Sequence, residues 1–265
     1  MEPVEGARMF LTTGAAYDAF MGRYSQPLAT VFVDSVGLTT GHNALDVGCG
    51  PGALTAVLVE RLGTTAVSAL DPSAPFVAEC ATRFPSVDIR LGSAEAIPFD
   101  DHCFDFAFAQ LVLHFVTDPD KAASELLRVV RPGGVVAACV WDFADEMEML
   151  RLFWDSALAV DPNAPDEART LRFGGEGEIS ALFRAAGFRN IAEKKLHVTS
   201  TYEMFDELWQ GFLAGIGPAG AFCLSLSEEQ RGGVRAEMFK RLGSPVGKFT
   251  LGATARSASG RAPNS

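Results

Sequence analysis

Residues 46–52 constrain the fold of this chain more than any other stretch of its sequence. Gly48, Gly50 and Gly52 follow an apolar run that ends in Asp46, and a helix-like apolar pattern starts directly after them. Because glycine has no Cβ, the backbone of such a turn can bend sharply and lie against a ligand. A glycine-rich turn between a strand and a helix is the usual place for a nucleotide-like cofactor in an open α/β sheet. The sequence therefore predicts an adenosine-containing cofactor here.

The glycine spacing by itself leaves two classes of cofactor open. Gly48, Gly50 and Ala53 satisfy the G-x-G-x-x-G/A fingerprint of dinucleotide-binding turns. Asp71 follows at about the distance of 20 residues expected for the acid that binds the ribose of a dinucleotide. A nicotinamide-dependent oxidoreductase is therefore one hypothesis for this chain.

Three features of the turn oppose a dinucleotide. A buried carboxylate at Asp46 would face a cation better than a pyrophosphate, and Gly52 widens the turn where a dinucleotide-binding helix would begin. Pro51 removes one backbone N–H group from the turn, and pyrophosphate binding depends on such groups. These features favour a cofactor that carries a positive charge near Asp46.

Strand and helix patterns alternate through the first half of the chain, and this alternation predicts the fold class. The strands are predicted at 44–47, 65–70, 87–91, 104–109 and 135–141, with helices at 53–61, 74–83 and 121–130. Farther on, the patterns indicate helices at 146–160, 178–186, 204–212 and 228–242, and strands at 191–198 and 248–255. The sequence therefore predicts an α/β fold with a doubly wound, mostly parallel seven-stranded sheet, helices on both faces and helical cap insertions.

Composition excludes several classes of function. The net charge of −11 opposes a nucleic-acid partner, which needs a basic surface, and also opposes an anionic membrane surface. No apolar run reaches the ~18 residues of a membrane span. The four histidines are scattered and no two cysteines have metal-ligand spacing, so no metal site is expected. The five widely separated cysteines are typical of free thiols in a reducing cytoplasm, which is the expected location.

Five segments, in order and in register, resemble the motifs of class I S-adenosylmethionine-dependent methyltransferases. They are residues 46–52, 69–73, 92–99, 104–110 and 126–134, within a region of residues 40–141 that makes up about two fifths of the chain. The resemblance is to the small-molecule type, which includes ubiquinone and menaquinone biosynthesis methyltransferases. It implies S-adenosylmethionine as the cofactor, a small-molecule methyl acceptor as the partner, and an antiparallel seventh strand.

The resemblance implies which residues bind the methionine and ribose ends of the cofactor. The turn formed by Gly48, Cys49, Gly50 and Gly52 is expected to lie against the methionine moiety, with Asp46 near its ammonium group.

Asp71, followed by Pro72, is expected to hold both ribose hydroxyls, since a carboxylate accepts two hydrogen bonds side by side. A helix N-cap is the structural alternative for Asp71, because the residues after it also suit a helix start.

At the adenine end, the resemblance implies contacts from Ser93, Ala94 and Glu95. Ser93 stands where the family usually has an acid, and its neutral hydroxyl accepts a hydrogen bond from the adenine amino group only weakly. A solvated loop charge is the alternative for Glu95. Gln110 and Leu111 lie just past the fourth strand, where the backbone of the family contacts the cofactor.

Three further residues are candidates on chemical grounds. Tyr17 and Arg23 belong to a segment that resembles the part covering the cofactor in bacterial relatives, and arginine can bind the methionine carboxylate with two hydrogen bonds. His114 is the histidine nearest to the expected site and is a candidate catalytic base, because the pKa of histidine suits that task. A structural histidine and a surface arginine are the alternatives.

Residues 1–265 are expected to form a single methyltransferase domain. Residues 1–36 would be lid helices and residues 40–141 the cofactor-binding core, while residues 142–177 and 203–245 would form the acceptor pocket, because ligands bind outside the carboxyl ends of strands. Residues 257–265 are small and polar and are expected to be disordered.

The predicted function is methyl transfer to an oxygen, nitrogen or carbon of a small, partly apolar molecule. Besides the oxidoreductase, a non-catalytic cofactor-binding protein stays open, and Ser93 is the feature that favours it. Such a protein would have no pocket lined by residues 142–177 and 203–245. The sequence does not specify the oligomeric state.

Overall fold

A computed structural model describes residues 18–264, and these residues form one seven-stranded sheet with the strand order β3-β2-β1-β4-β5-β7-β6. The strands are β1 Ala44–Val47, β2 Val67–Asp71, β3 Asp88–Leu91, β4 Phe104–Gln110, β5 Val130–Trp141, β6 Arg189–Tyr202 and β7 Phe249–Arg261. Strands β1 to β5 pair in parallel, and β7 pairs antiparallel with both β5 and β6. The predicted α/β fold with a mostly parallel seven-stranded sheet is confirmed.

The parallel half of the sheet places the glycine turn at one edge. All four residues of β1 are buried, as expected for a central strand that is covered on both faces. Because β1 pairs in parallel with both β2 and β4, the carboxyl ends of the three strands meet at the same edge. The residues that follow these strands therefore lie around one cleft.

Ten α-helices occur among residues 18–264. They are α1 Arg23–Val36, α2 Ala53–Leu62, α3 Ala74–Arg83, α4 Pro119–Val129, α5 Glu148–Val160, α6 Glu167–Thr170, α7 Glu178–Ala186, α8 Phe205–Leu213, α9 Gly217–Ser225 and α10 Glu228–Arg241. A π-helical turn, Asp18–Gly22, precedes α1, and a 3-10 helix, Leu113–Phe115, follows β4. Local signals explain several ends: α7 stops at Gly187, which has a φ of 99°, and α10 starts with a capping box between Ser227 and Gln230.

The prediction of a disordered tail at residues 257–265 is wrong for residues 257–261. These residues continue β7, and Ser257 to Arg261 pair with Cys139 to Val135 of β5. Ala253, Ala255 and Ala258 are buried in this strand. The small residues of this segment have a composition typical of disordered chains, but here they form a strand that lies between β5 and β6.

Two further elements were not predicted. Helix α9 forms in the Gly/Pro/Ala-rich segment between the predicted helices 204–212 and 228–242, and the short helix α6 forms between the predicted helices 146–160 and 178–186. Both lie beside the cavities described below. Of the predicted lid at residues 1–36, residues 1–17 lie outside the described residues.

Candidate active site

The three glycines of the turn have positive φ angles, but for different reasons. A Cβ on Gly48, at φ +74°, would collide with Cγ2 of Val112, and one on Gly52, at φ +102°, would lie 2.7 Å from Cε2 of Phe84. By contrast, a Cβ on Gly50 would meet no atom within 4 Å. Gly48 and Gly52 are therefore required by packing, whereas Gly50 borders open space.

Asp71 ties the glycine turn to the loop that follows β2. Its Oδ2 accepts a hydrogen bond of 2.9 Å from the backbone N–H of Gly50, and its Oδ1 accepts one of 2.8 Å from the backbone N–H of Ser73. Burial raises the pKa of Asp71 to about 6, while these two hydrogen bonds oppose the rise. Helix α3 has Ser73 as its N-cap residue, so Asp71 is not the N-cap, and each carboxylate oxygen keeps acceptor capacity for a ligand.

A cleft of about 730 Å³ opens in front of Gly50 and Asp71. It brings together most of the predicted cofactor-binding residues with five that were not in that set. Its lining consists of Gly48, Gly50, Asp71, Pro72, Ser73, Phe76, Ser93, Ala94, Glu95, Gln110, Leu111, Val112, Phe115 and Val116. We call this space the cofactor cleft. The residues at 112–116 carry no polar motif in the sequence, and only their position after β4 could have indicated them.

The loop expected at the adenine end is held in place by its own hydrogen bonds. The backbone N–H of Ala96 donates to the carbonyl oxygen of Ser93 over 3.1 Å. The carboxylate of Glu95 accepts a hydrogen bond of 2.9 Å from the backbone N–H of Thr117. Glu95 therefore joins two walls of the cofactor cleft and is not merely a solvated loop charge.

A smaller pocket of about 320 Å³ adjoins the cofactor cleft on the other side of the glycine turn. Its lining consists of Ser25, Asp46, Gly48, Cys49, Gly50, Pro51, Ala53, Leu54, Gln110 and Leu111. We call it the methionine pocket, after the role proposed below. Gly52 lines neither space, in keeping with its role in packing.

Three buried oxygen atoms in the methionine pocket have no hydrogen-bond partner among residues 18–264. They are Oγ of Ser25, Oδ1 of Asp46 and Oε1 of Gln110. The other oxygen of Asp46 accepts a hydrogen bond of 2.6 Å from Oγ1 of Thr55, and the amide nitrogen of Gln110 donates to the carbonyl oxygen of Ser25 over 2.9 Å. Because unpaired buried polar atoms cost free energy, three acceptors around one pocket suit a ligand with several N–H donors.

The charge of the methionine pocket also suits a cationic ligand group. Burial raises the pKa of Asp46 to about 7, and the negative charge of Asp71 adds to the rise, while the hydrogen bond from Thr55 opposes it. A bound ammonium group would stabilise the ionised carboxylate and lower this pKa again. The pocket residues therefore fit the ammonium group of a methionine moiety.

Arg23 does not reach the cleft, which corrects its predicted role as a clamp for the carboxylate of the cofactor. Its guanidinium donates to Oγ of Ser200, to the carbonyl oxygen of Thr201 and to Oε1 of Glu207, and it stacks 4.0 Å from the ring centre of Tyr202. These partners hold α1 against β6 and α8. Tyr17, the other lid candidate, lies outside the described residues.

A second cavity, of about 460 Å³, lies on the far side of Leu111. Its lining is mostly apolar and comes from widely separated segments: Phe20, Met21, Leu111, His114, Phe115, Trp141, Phe143, Leu150, Glu167, Ile216, Gly217, Pro218 and Ala219. We call it the apolar cavity. Segments 142–177 and 203–245, which were predicted to form the acceptor pocket, both contribute to it, together with Phe20 and Met21 from the predicted lid.

Leu111 separates the three spaces and has an unusual backbone. It lines the cofactor cleft, the methionine pocket and the apolar cavity, and its φ of 60° lies in the left-handed region that non-glycine residues rarely adopt. Its N–H still donates to the carbonyl oxygen of Cys139 over 2.8 Å. Strained backbone of this kind is common at ligand sites, where the surrounding structure holds it in place.

His114 lines the apolar cavity but is poorly suited to take a full proton. Burial lowers its pKa to about 3, so the imidazole is neutral at physiological pH. Its ring lies 3.9 Å from that of Phe115 and 5.2 Å from that of Phe143, and its Nδ1 has no hydrogen-bond partner among residues 18–264. Such a group can hydrogen-bond a ligand, whereas a catalytic base works best with a pKa near the operating pH.

Glu167 is a site residue that sequence reasoning missed. It is 4% exposed, lines the apolar cavity and accepts a hydrogen bond of 2.7 Å from Nε1 of Trp154. Burial raises its pKa to about 7. It lies in a Pro- and charge-rich stretch whose composition indicates a loop, and only the tertiary structure brings it to the cavity.

The comparisons with known proteins support a methyltransferase. The sequence of residues 45–138 matches the family described as methyltransferase domain. These residues lie within the predicted cofactor-binding core. The match confirms the predicted class I S-adenosylmethionine-dependent type, and S-adenosylmethionine is the cofactor of that class.

Named relatives of the methyltransferase domain act on different acceptors. A malonyl-(acyl-carrier protein) O-methyltransferase of Salmonella typhimurium is 43% identical over 103 residues, which are 38% of this chain and 40% of that protein. A demethylmenaquinone methyltransferase of Renibacterium salmoninarum is 35% identical over 137 residues, which are 50% of this chain and 56% of that protein. The matched region thus spans about half the length of these relatives or less.

A solved structure shares the fold of this chain. It is phosphoethanolamine N-methyltransferase 2 of Haemonchus contortus in complex with S-adenosyl-L-methionine, with a TM-score of 0.60 at 16% identity, covering 99% of this chain and 60% of that chain. At this identity the likeness shows the fold alone.

Within residues 18–264, no helix is long and apolar enough to cross a membrane.

Proposed function

We propose that this chain transfers the methyl group of S-adenosylmethionine to a small, partly apolar molecule that binds in the apolar cavity. The observation that carries the proposal is the arrangement of two spaces on either side of Leu111. The first consists of the cofactor cleft and the adjoining methionine pocket, where three buried acceptors have no partner among residues 18–264, and the second is the apolar cavity, whose walls come from other segments. A methyl donor and a methyl acceptor need such adjacent, distinct compartments.

Each compartment has its own set of residues for binding. Oδ1 of Asp46, Oε1 of Gln110 and Oγ of Ser25 would accept hydrogen bonds from the ammonium group of the cofactor. Asp71 would accept hydrogen bonds from the ribose hydroxyls, and the loop 93–95 would border the adenine. These contacts use atoms that lack a partner or keep acceptor capacity.

The cofactor, when bound, supplies a methyl group activated by a sulfonium. The chain itself supplies alignment and excludes water, which together provide most of the catalytic effect in an in-line displacement. Phe115 lines both the cofactor cleft and the apolar cavity, while Phe20 and Phe143 line the cavity, so the space between donor and acceptor is enclosed by apolar rings.

The composition and the thiols support a small acceptor in the cytoplasm. The net charge of −11 opposes nucleic acid as the acceptor. All five cysteines are free, as expected of a protein in a reducing compartment. The apolar cavity also argues against a non-catalytic cofactor-binding protein, for which no acceptor pocket was expected.

Isothermal calorimetry with S-adenosylhomocysteine tests the proposal, with NAD as the control ligand. We expect micromolar binding of the thioether and no binding of the dinucleotide, because Pro51 and Asp46 oppose a pyrophosphate at the turn. Binding of NAD in place of the thioether would move the turn to the dinucleotide class. It would also contradict the roles given to Asp46 and Ser93.

A further inference from the structure

The apolar cavity contains one acidic side chain and no basic one among the residues of 18–264 that line it. Glu167 is the acid, and His114, held neutral by burial, is the other ionisable group. A carboxylate or phosphate entering this cavity would meet the ionised form of Glu167, and no basic side chain lines the cavity to compensate, since the nearby Arg151 is paired with Asp166. Such an arrangement repels anions and favours neutral or cationic groups.

Two other polar groups of residues that line the cavity have no hydrogen-bond partner among residues 18–264. Nε1 of Trp141 is buried without a hydrogen-bond acceptor among residues 18–264, and so is Nδ1 of His114, which has neither donor nor acceptor there. Both residues line the apolar cavity. Because buried polar atoms are nearly always paired, these two atoms point to a ligand with a polar group in an otherwise apolar body.

The position of Glu167 is set by the packing of α6 on α5. Nε1 of Trp154 donates to Oε2 of Glu167, and the neighbouring Asp166 receives bidentate hydrogen bonds of 2.8–3.1 Å from Arg151. Asp166 also caps α6 by accepting from the backbone N–H of Ala168 over 3.0 Å. The carboxylate is therefore held at the cavity wall by the buried Trp154 and the mostly buried Arg151 of α5, and is not an exposed surface acid.

We propose that Glu167 anchors the methyl acceptor, and that the acceptor is an apolar molecule bearing a hydroxyl or amine group. This inference rests on the proposed function and narrows it. The hydroxyl or ammonium donates to the carboxylate of Glu167. A hydroxyl oxygen also accepts from the Nε1–H group of Trp141, and Nδ1 of His114 offers a further polar contact. The ionised carboxylate of Glu167 disfavours carboxylate and phosphate acceptors, although a malonyl-(acyl-carrier protein) O-methyltransferase is 43% identical to this chain over 103 residues.

Calorimetry with three probes that share an indole ring tests this proposal. Tryptamine, tryptophol and indoleacetate carry an amine, an alcohol and a carboxylate on the same apolar body, and each is titrated into protein saturated with S-adenosylhomocysteine. We expect tryptamine and tryptophol to bind, and indoleacetate to bind at least about tenfold more weakly. A factor of about ten corresponds to the loss of one charge-assisted hydrogen bond.

Two matched variants separate Glu167 from general charge effects. Glu167→Gln is expected to weaken tryptamine about tenfold or more and to reduce the discrimination against indoleacetate, because the negative charge is removed. Glu176→Gln makes the same chemical change at a side chain that is 86% exposed and outside the cavity, and is expected to leave all three affinities unchanged. Affinity for S-adenosylhomocysteine should stay within about twofold in both, which also reports that each variant is folded.

The outcomes distinguish this inference from the function on which it rests. If S-adenosylhomocysteine does not bind the wild-type chain, the proposed function fails. If it binds but indoleacetate equals or exceeds tryptamine, or none of the probes binds, the role of Glu167 is overturned. Equal effects of Glu167→Gln and Glu176→Gln would overturn it as well. Should Glu167→Gln not fold, the order of the three probes on the wild-type chain still decides.

Discussion

The cofactor cleft and the apolar cavity share one wall but are built in opposite ways. The cleft is formed by short turns that directly follow β1, β2 and β4, and backbone groups do much of the positioning, as between Gly50 and Asp71. The cavity is formed by side chains from segments that lie far apart in the sequence, from Phe20 to Ala219.

This difference explains why the cofactor cleft can be predicted from the sequence and the chemistry of the apolar cavity cannot. A turn that must adopt positive φ angles allows few residue types, so Gly48, Gly50 and Gly52 meet a requirement of the local backbone. An apolar wall accepts many side chains of suitable volume. The residue that gives such a wall its chemistry, here Glu167, is recognised only after the chain has folded.

We expect the largest effect from Gly48→Ala, which disrupts the glycine turn of the cofactor cleft. A Cβ at this position would collide with Val112 and would also have to adopt a φ of +74°. We expect a loss of about 3–5 kcal/mol in the free energy of unfolding, from overpacking and backbone strain together. Chemical denaturation measures it, with Gly41→Ala as the control.

Gly41 has a φ of +86° and no atom within 4 Å of an added Cβ. It therefore isolates the backbone strain, for which we expect a loss of about 1–2 kcal/mol. Equal losses for Gly41→Ala and Gly48→Ala would show that the contact with Val112 does not constrain the turn.

Arg151→Met tests the apolar cavity, because it removes the ion pair with Asp166 that holds α6 to α5. Asp166 is buried and would keep its charge without its main partner. We expect a loss of about 3 kcal/mol in the free energy of unfolding. We also expect almost no change in the affinity for S-adenosylhomocysteine, since neither residue lines the cofactor cleft. A parallel loss of cofactor affinity would mean that the two sites are not built independently.

Asp71→Ala tests the hydrogen bonds at the junction of the two turns. The change removes the acceptor for two backbone N–H groups and for the ribose hydroxyls. We expect the affinity for S-adenosylhomocysteine to fall about 30-fold or more, because hydrogen bonds to a charged group are lost. Asp88→Ala, which changes an exposed carboxylate on the adjacent strand, is the control. Unchanged affinity in calorimetry would contradict the ribose assignment.

The pH dependence of cofactor affinity tests Asp46. With a pKa of about 7 in the free protein, Asp46 is mostly protonated at pH 6, and it must release a proton to bind an ammonium group. Ionisation of Asp46 should therefore raise the affinity for S-adenosylhomocysteine about tenfold between pH 6 and pH 8, and ionisation of Asp71 about twofold more, so we expect a rise of about 20-fold in the wild-type chain. Asp46→Asn should leave only the smaller rise, of about twofold, that comes from Asp71 with its pKa of about 6. A flat profile in the wild-type chain would refute this role for Asp46.

Arg23→Met gives the smallest effect and tests the corrected role of Arg23. The side chain stays long, but its hydrogen bonds to Ser200, Thr201 and Glu207 are lost. We expect the free energy of unfolding to fall by about 1 kcal/mol. The affinity for S-adenosylhomocysteine should stay within about twofold. A tenfold loss of affinity would restore Arg23 as a ligand of the cofactor.

The sequence predicts the parallel core well because its signals are local. The alternation of apolar strands with amphipathic helices predicts the positions of β1 to β5, and helices α3 and α7 begin and end where their patterns indicate. Asp46, Asp71 and the glycine turn lie together as predicted, because residues at the ends of adjacent parallel strands meet at one edge.

The errors fall where a tertiary contact overrides a local signal. Arg23 has the right chemistry for a carboxylate, but Glu207 and the carbonyl of Thr201 compete for it from the opposite side. Helix α9 forms in spite of a Gly- and Pro-rich composition, with Pro218 in its first turn, where a missing N–H group costs little. No periodicity in the sequence announces either outcome.

The place of β7 has a consequence for how the chain is synthesised. Strand β7 is the last of the seven strands along the chain, yet it lies between β5 and β6 and forms the pairing that joins β6 to the sheet. During translation, β5 therefore emerges from the ribosome long before its second neighbour exists, and its unpaired edge is open to foreign strands in the meantime. The sheet is complete only after residues 249–261 have been synthesised. A nascent chain that stalls before them therefore exposes the unpaired edges of β5 and β6, to which chaperones or other strands can bind.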